Sequence, residues 1–128
     1  MCTLRILAVI IVAAVIVVVS QPVALLAIDL NAAHDNFISQ CAKCHGETGR
    51  GDGPAGTSLA VKPRNFSDCA RMAKESDERI FTTIKNNGAS VGLSKDMPPW
   101  SEAFEDSEIK GLVTYIRQFC NQQRAMNK

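Results

Sequence analysis

The sequence predicts an all-α domain with a helix at each end and irregular chain between. Three observations predict it. Apolar residues recur at helical spacing over residues 30–44 and again over 109–120. No stretch alternates apolar and polar residues as a half-buried strand would. Glycine and proline gather in two segments between the helical patterns.

The first helical pattern runs from Leu30 to Cys44, where Leu30, Ala33, Phe37, Ile38 and Cys41 share one face. Residues 46–56 hold five glycines (46, 49, 51, 53 and 56) and Pro54, so this stretch is a turn-rich loop. Val61 to Phe66 contains Pro63 and is expected to be extended. Ser76 followed by Asp77 and Glu78 reads as a helix start, an N-cap hydroxyl with two acids in the first turn. Ile80, Phe81 and Ile84 form its inner face, and Gly88 is expected to close it. Ala89 to Trp100, with Gly92, Pro98 and Pro99, is the second irregular segment. The last helix is the clearest. Glu105, Asp106 and Glu108 stand at its start, and Ile109, Leu112, Val113, Ile116, Phe119 and Cys120 make one apolar stripe. Two long loops in a domain of about 100 residues are normally functional, and a bulky ligand that they wrap would account for them.

Composition narrows the function. The 128 residues carry 14 Lys+Arg against 13 Asp+Glu, a net charge of +1, without the basic excess of a nucleic-acid binder. Hydrophobic residues make up 46%, normal for a globular chain, but aromatics only 5%. The core is therefore aliphatic or is filled by something that is not protein. Five cysteines is an odd number.

The apolar residues are unevenly placed. Ile6 to Val19 is an uninterrupted apolar run behind Arg5, followed by Ser20, Gln21, Pro22 and a second apolar stretch to Ile28. A basic residue, an apolar run and small residues near its end describe a secretory signal peptide, with Ala27 the preferred last residue and Ser20 and Ala24 as alternatives. An uncleaved anchor is the rival reading, since Ile6 to Ile28 is long enough to cross a bilayer of ~30 Å hydrocarbon, although Gln21 and Pro22 interrupt it. The organisation read is a signal over residues 1–27 and one domain over 28–128. The charges in that domain are then 13 basic, since Arg5 is lost, against 13 acidic. Its cysteines are Cys41, Cys44, Cys69 and Cys120, an even set in an exported chain.

The chemistry sits at Cys41-Ala42-Lys43-Cys44-His45. C-x-x-C-H is the attachment signature of haem c. Two thiols at this spacing match the vinyl groups on one porphyrin edge, and the next residue, His45, is held under the iron as one axial ligand. A zinc site completed by Cys69 and Cys120 lacks finger-like spacing, and a thioredoxin-like pair lacks its βαβ context. For the second axial position the candidates are Met72, Met97, Met126, His34, Cys69 and Cys120. Met97 is favoured. It stands 52 residues after His45 in a loop suited to reach the opposite haem face, and Pro98 and Pro99 stiffen that loop.

Further residues fall into a pattern around this motif. Ala33 and Phe37 precede Cys41, and Leu112 and Tyr115 stand on the last helix. Cys44-His45-Gly46 is followed by Gly51-Asp52-Gly53-Pro54, and beyond lie Lys62-Pro63-Arg64-Asn65-Phe66 and Met97-Pro98-Pro99-Trp100. Together these resemble the class I c-type cytochromes, the small bacterial monohaem kind, over nearly all of residues 30–120. The resemblance implies a cytochrome c fold. Its N- and C-terminal helices cross through Ala33 and Phe37 on one side and Leu112 and Tyr115 on the other. Short middle helices and long loops wrap one covalently bound haem. It also implies that the Pro54 carbonyl accepts the hydrogen bond of the proximal histidine.

With His45 and Met97 both bound, the iron has no open site and exchanges single electrons, and a thioether ligand raises its potential. Phe37, Phe66, Phe81, Ile84, Leu93, Leu112 and Ile116 are candidates for the haem surroundings, or ordinary core. Arg64 and Lys62 are candidates to pair with haem propionates, or solvated charges. Trp100 is read either as a propionate neighbour or as a loop anchor. Cys69 and Cys120 depart from the commonest family pattern. In an oxidising compartment they are expected to form a disulfide, although one of them as an iron ligand in place of Met97 would make a low-potential haem protein.

The expected function is that of an exported electron carrier, not an enzyme, located in the periplasm or otherwise outside the cytoplasm. Its partners are redox proteins, its cofactor is one haem c per chain, and membrane contact arises only if residues 1–27 are retained. A haem subunit of a larger oxidoreductase is the alternative. A sensor or peroxidase-like role would need an open axial position and a distal acid–base pair, which the sequence does not offer.

Overall fold

The computed structural model describes residues 28–126, so the expected signal peptide lies outside the described residues. The elements are α1 (Leu30–Asn36), a π-helical turn (Phe37–Cys41), α2 (Ala42–His45), α3 (Cys69–Met72), α4 (Asp77–Asn86) and α5 (Asp106–Met126), with 3-10 turns at Gly56–Ser58 and Ala89–Val91. No strand occurs among the described residues, as the sequence predicts. No helix among them is long and apolar enough to cross a membrane.

Asp29 starts α1, its carboxylate accepting from the backbone N–H groups of Asn31 (3.0 Å) and Ala32 (3.1 Å). Residues 30–45 form one continuous helical segment, but not with a constant period. The amide of Ala42 donates to the Phe37 carbonyl, five residues back. The buried positions are accordingly Ala33, Phe37 and Ala42, spaced by four and then five. The expected face ended instead at Cys41. The π turn moves Ala42 into the core and leaves Cys41 half-buried at its edge. Leu30, expected on the same face, is the first residue of α1 and is 38% exposed.

α5 buries all six predicted residues: Ile109, Leu112, Val113, Ile116, Phe119 and Cys120. Burial of such side chains stabilises by about 1.5–3 kcal/mol each. Glu108 caps the start of this helix by accepting from the Glu105 amide at 2.9 Å. α1 and α5 are the most extensively packed pair of elements. Ala33 faces Gly111, where an added Cβ would stand 3.4 Å from the Ala33 Cβ. Phe37 meets Tyr115 at 5.3 Å between ring centres, and also Phe119 at 5.3 Å. The expected crossing is therefore present, with Gly111 supplying the close approach beside the fully buried Leu112.

α4 packs on α5 through Ile80 and Ile84. Ser76 caps it as expected, accepting from the Arg79 amide at 3.1 Å. Gly88 does not close it. Asn87 takes the positive φ of 107° and Gly88 stays right-handed at −66°. Gly88 is small for another reason: a Cβ there would lie 2.2 Å from the Ser94 carbonyl oxygen.

Leu112→Ala is expected to cost about 3 kcal/mol, because no part of that side chain reaches solvent. Gly111→Ala makes only an ordinary contact with Ala33 and gains helix propensity, so it is expected to be neutral or to stabilise by up to about 1 kcal/mol. Guanidinium unfolding of the holoprotein measures both.

Candidate functional site

The motif Cys41 to His45 occupies the end of the π turn and the four-residue helix α2. A helix this short exposes its last carbonyls, and the glycine-rich loop satisfies them. The Gly46 amide donates to the Ala42 carbonyl (2.7 Å), Ala55 to Lys43 (2.9 Å), Gly53 to Cys44 (3.2 Å) and Gly51 to His45 (2.7 Å). All four carbonyls of α2 are thus bonded to loop backbone. Such close approach leaves no room for side chains. A Cβ on Gly53 would fall 2.4 Å from the Ala42 oxygen and 2.6 Å from that of Lys43. Gly46 turns the chain out of the helix at φ +76°, with the Asp52 carboxylate over its Cα.

His45 is held from two sides. Its Nδ1 lies 3.2 Å from the Arg64 carbonyl oxygen, an acceptor, so Nδ1 carries the proton and Nε2 keeps its lone pair. Its ring stacks on Phe66 at 4.5 Å and 15°. Burial pushes the imidazole down to about 4, so it is neutral at physiological pH, the form that binds a metal. Burial pushes the Cys41 thiol up to about 11, reinforced by Cys44 and opposed by Lys43. Both cysteines of the motif are half-buried.

The expected acceptor for the histidine was Pro54. The structure corrects this: the Pro54 carbonyl accepts the Thr57 hydroxyl at 3.0 Å, and Arg64 takes the histidine. The segment 62–66 returns beside α2, with the Phe66 amide donating to the Gly49 carbonyl at 2.7 Å, and so brings the Arg64 backbone to the ring.

The Arg64 guanidinium pairs with Glu75 at 3.1 Å, both side chains being largely buried (17% and 18% exposed). Glu75 also pairs with Arg79 at 2.9 Å. Lys62 donates to the Thr57 carbonyl. Trp100 stacks on Phe104 at 5.6 Å and its amide donates to the Ile84 carbonyl at 3.0 Å, which ties the second loop to α4.

Met97 is half-buried and packs against the hydrophobic core from that second loop. Its carbonyl accepts the Gly88 amide at 3.1 Å. Among the other ligand candidates, Met72 is buried in the core. His34 is exposed beside Asp35 and edge-on to Tyr115. Met126 stands in the last turn of α5. Leu93, a candidate for the haem surroundings, is 41% exposed; Phe37, Phe66, Ile84, Leu112 and Ile116 are buried and Phe81 is half-buried. No group of three or more His, Cys, Asp or Glu that could hold a metal ion is gathered among the described residues.

The donor set fits haem c: two thiols three residues apart on one helix end, a neutral imidazole directly after them with Nε2 available, and a thioether on a separate loop. A terminal-helix crossing with this motif behind the first helix defines a class I c-type cytochrome. Comparison with known proteins agrees. Residues 29–116 match the family described as cytochrome c oxidase, cbb3-type, subunit III. The chain is 29% identical to cytochrome c6 of Bryopsis maxima over 99 residues, 73% of this chain and 96% of that protein. It is 30% identical over 80 residues to the cbb3-type cytochrome c oxidase subunit FixP of Azorhizobium caulinodans, covering 62% of this chain. It spans about a quarter of that subunit's length (24%). The solved structure of the KustC0563 c-type cytochrome superposes with a TM-score of 0.57 at 32% identity, covering 68% of this chain and 95% of that one.

The chain belongs to this cytochrome c family. It is a monohaem c-type cytochrome that carries one covalently attached haem c and transfers electrons with redox partners.

Gly53→Ala is expected to destabilise the holoprotein by about 1–3 kcal/mol, since two carbonyls of α2 must retreat. A double-mutant cycle on Arg64→Met and Glu75→Gln is expected to give a coupling of about 1–2 kcal/mol, the value for a charged hydrogen bond largely out of solvent. Thermal unfolding followed by circular dichroism measures both.

Proposed function

We propose that this chain is an exported one-electron carrier in which Cys41 and Cys44 would hold the haem and His45 and Met97 would ligate its iron. The observation that carries the reading is the orientation of His45, whose Nδ1 is fixed on the Arg64 carbonyl and whose Nε2 is left as donor. Cys41 and Cys44 would each hold the haem by net addition of the thiol S–H across a vinyl C=C. The bound haem supplies a reversible ferric/ferrous couple. The chain's own part is to fix both ligands before and after electron transfer, so that little rearranges. The carbonyl behind His45 fixes the ring, and Pro98 and Pro99 stiffen the segment bearing Met97.

Pro54, Arg64 and Trp100 then act around the haem through loop structure. Arg64 contributes its carbonyl to the histidine, while its guanidinium is engaged by Glu75. Export through residues 1–27 places the domain in the periplasm or an equivalent compartment, with retention of that segment as a membrane anchor the alternative. The apolar run behind Arg5 supports export.

A second reading is a haem subunit of a larger oxidoreductase. The family description and the two oxidase subunits similar to this chain, FixP and CcoP of Azospirillum brasilense (29% identical), favour it. Size-exclusion chromatography of the native material separates the two, a lone domain eluting at its own mass for the carrier.

A redox titration followed by absorption spectra tests the ligand set. The ferric protein is expected to show the weak far-red band of a sulfur–iron bond, and Met97→Ala to abolish it and lower the potential. Persistence of the band in Met97→Ala would transfer the ligand role to another sulfur.

A further inference from the structure

Among the described residues, two cysteines lie outside the attachment motif. Cys69 opens α3 and is half-buried, and Cys120 lies buried on α5. The Cys69 thiol donates to the Ser67 carbonyl (3.4 Å) and to the carbonyl of Cys120 itself (3.6 Å). The Cys120 thiol donates to the Phe66 carbonyl (3.2 Å). Both sulfurs therefore engage the consecutive carbonyls of residues 66 and 67, and both line one cleft of about 120 Å³ together with Met72, Ile116 and Arg117. Phe66 links this place to the iron site. Its ring stacks on His45 and its amide holds the Gly49 carbonyl of the loop that caps α2.

We propose that Cys69 and Cys120 form a second, protein-based redox site, a dithiol/disulfide couple whose state is transmitted through Phe66 to the axial histidine. The coupling rests on His45 being an iron ligand. The oxidant is an external disulfide. Cys69, the more accessible thiol, loses its proton and attacks one sulfur of that disulfide, giving a mixed disulfide and one released thiolate. Cys120 then loses its proton and attacks the Cys69 sulfur, expelling the second thiolate. The two protons leave with the two released thiols, and two electrons pass from the cysteine pair to the external disulfide. Closing the bond withdraws the Cys120 S–H from the Phe66 carbonyl and the Cys69 S–H from Ser67. The backbone that positions the ring under His45 then loses two of its hydrogen bonds. In the oxidised state the same bond ties α3 to the end of α5.

The test uses the holoprotein treated with oxidised glutathione or with dithiothreitol, then desalted. After dithiothreitol, alkylation and peptide mass mapping are expected to find modified cysteine at both 69 and 120. After oxidised glutathione they are expected to find neither, with a peptide linking the two positions. Cys120→Ser is expected to accumulate one glutathione on Cys69. The haem midpoint potential is expected to shift between the two treated forms of the natural chain, and not to shift with treatment in Cys69→Ser. Separate glutathione adducts on both cysteines, or alkylation at both after oxidation, would overturn the pair. Equal midpoint potentials in the linked and reduced forms would overturn the coupling. The axial-ligand absorption bands keep this distinct from the carrier reading: their retention leaves His45 in place whatever the cysteines do, and their loss in the natural chain would sink the ligand assignment itself.

Discussion

The four backbone hydrogen bonds that close the end of α2 are the constraint on which the rest depends. A helix of four residues cannot sustain itself, since every one of its carbonyls lacks a partner within it. The loop that follows supplies those partners from its own main chain. This fixes where Cys41, Cys44 and His45 stand relative to one another. It also explains the composition of the loop, because backbone can meet backbone at this distance only where side chains are missing.

The histidine is then held by a second tier of contacts that reach across the molecule. Its partner carbonyl belongs to Arg64, whose guanidinium meets Glu75. Arg117, on α5, donates to the backbone of Met72 and Glu75 and pairs with Asp77 at the start of α4. The last helix thereby fastens the chain that bears Glu75, and Glu75 fastens the residue whose carbonyl holds His45. Charged groups largely out of solvent repay their desolvation only when their hydrogen bonds are filled, and here each has a named partner.

Sequence periodicity described the parts of the fold governed by simple burial. The six-residue stripe of α5 is buried throughout, and the Ser76 cap sits where the hydroxyl and the acids after it indicate. It was silent where a local departure decides the geometry. The π turn moves the buried face from Cys41 to Ala42, and nothing in the order of residues 37–41 announces a five-residue spacing. Pro54 and Arg64 are both plausible acceptors by position along the chain. Only the path of residues 62–66 past the ring chooses Arg64, and that path is set by a tertiary bond from Phe66 to Gly49. Gly88 is read as a cap, yet its smallness serves the close approach of Ser94 and Asn87 makes the turn. The motif itself was fully legible, since covalent chemistry fixes residue type and spacing together. The thioether on the second loop was legible as a candidate because a ligand from far along the chain needs a stiffened loop.

Because the loop after α2 is held by its main chain, the outward side chains of Glu47, Thr48 and Arg50 carry none of those bonds and stand exposed. The charge displayed beside the attachment helix can therefore be rewritten by substitution while the anchoring stays the same. Surface charge and the backbone bonding that holds the attachment motif are separable traits in this chain, free to change at different rates.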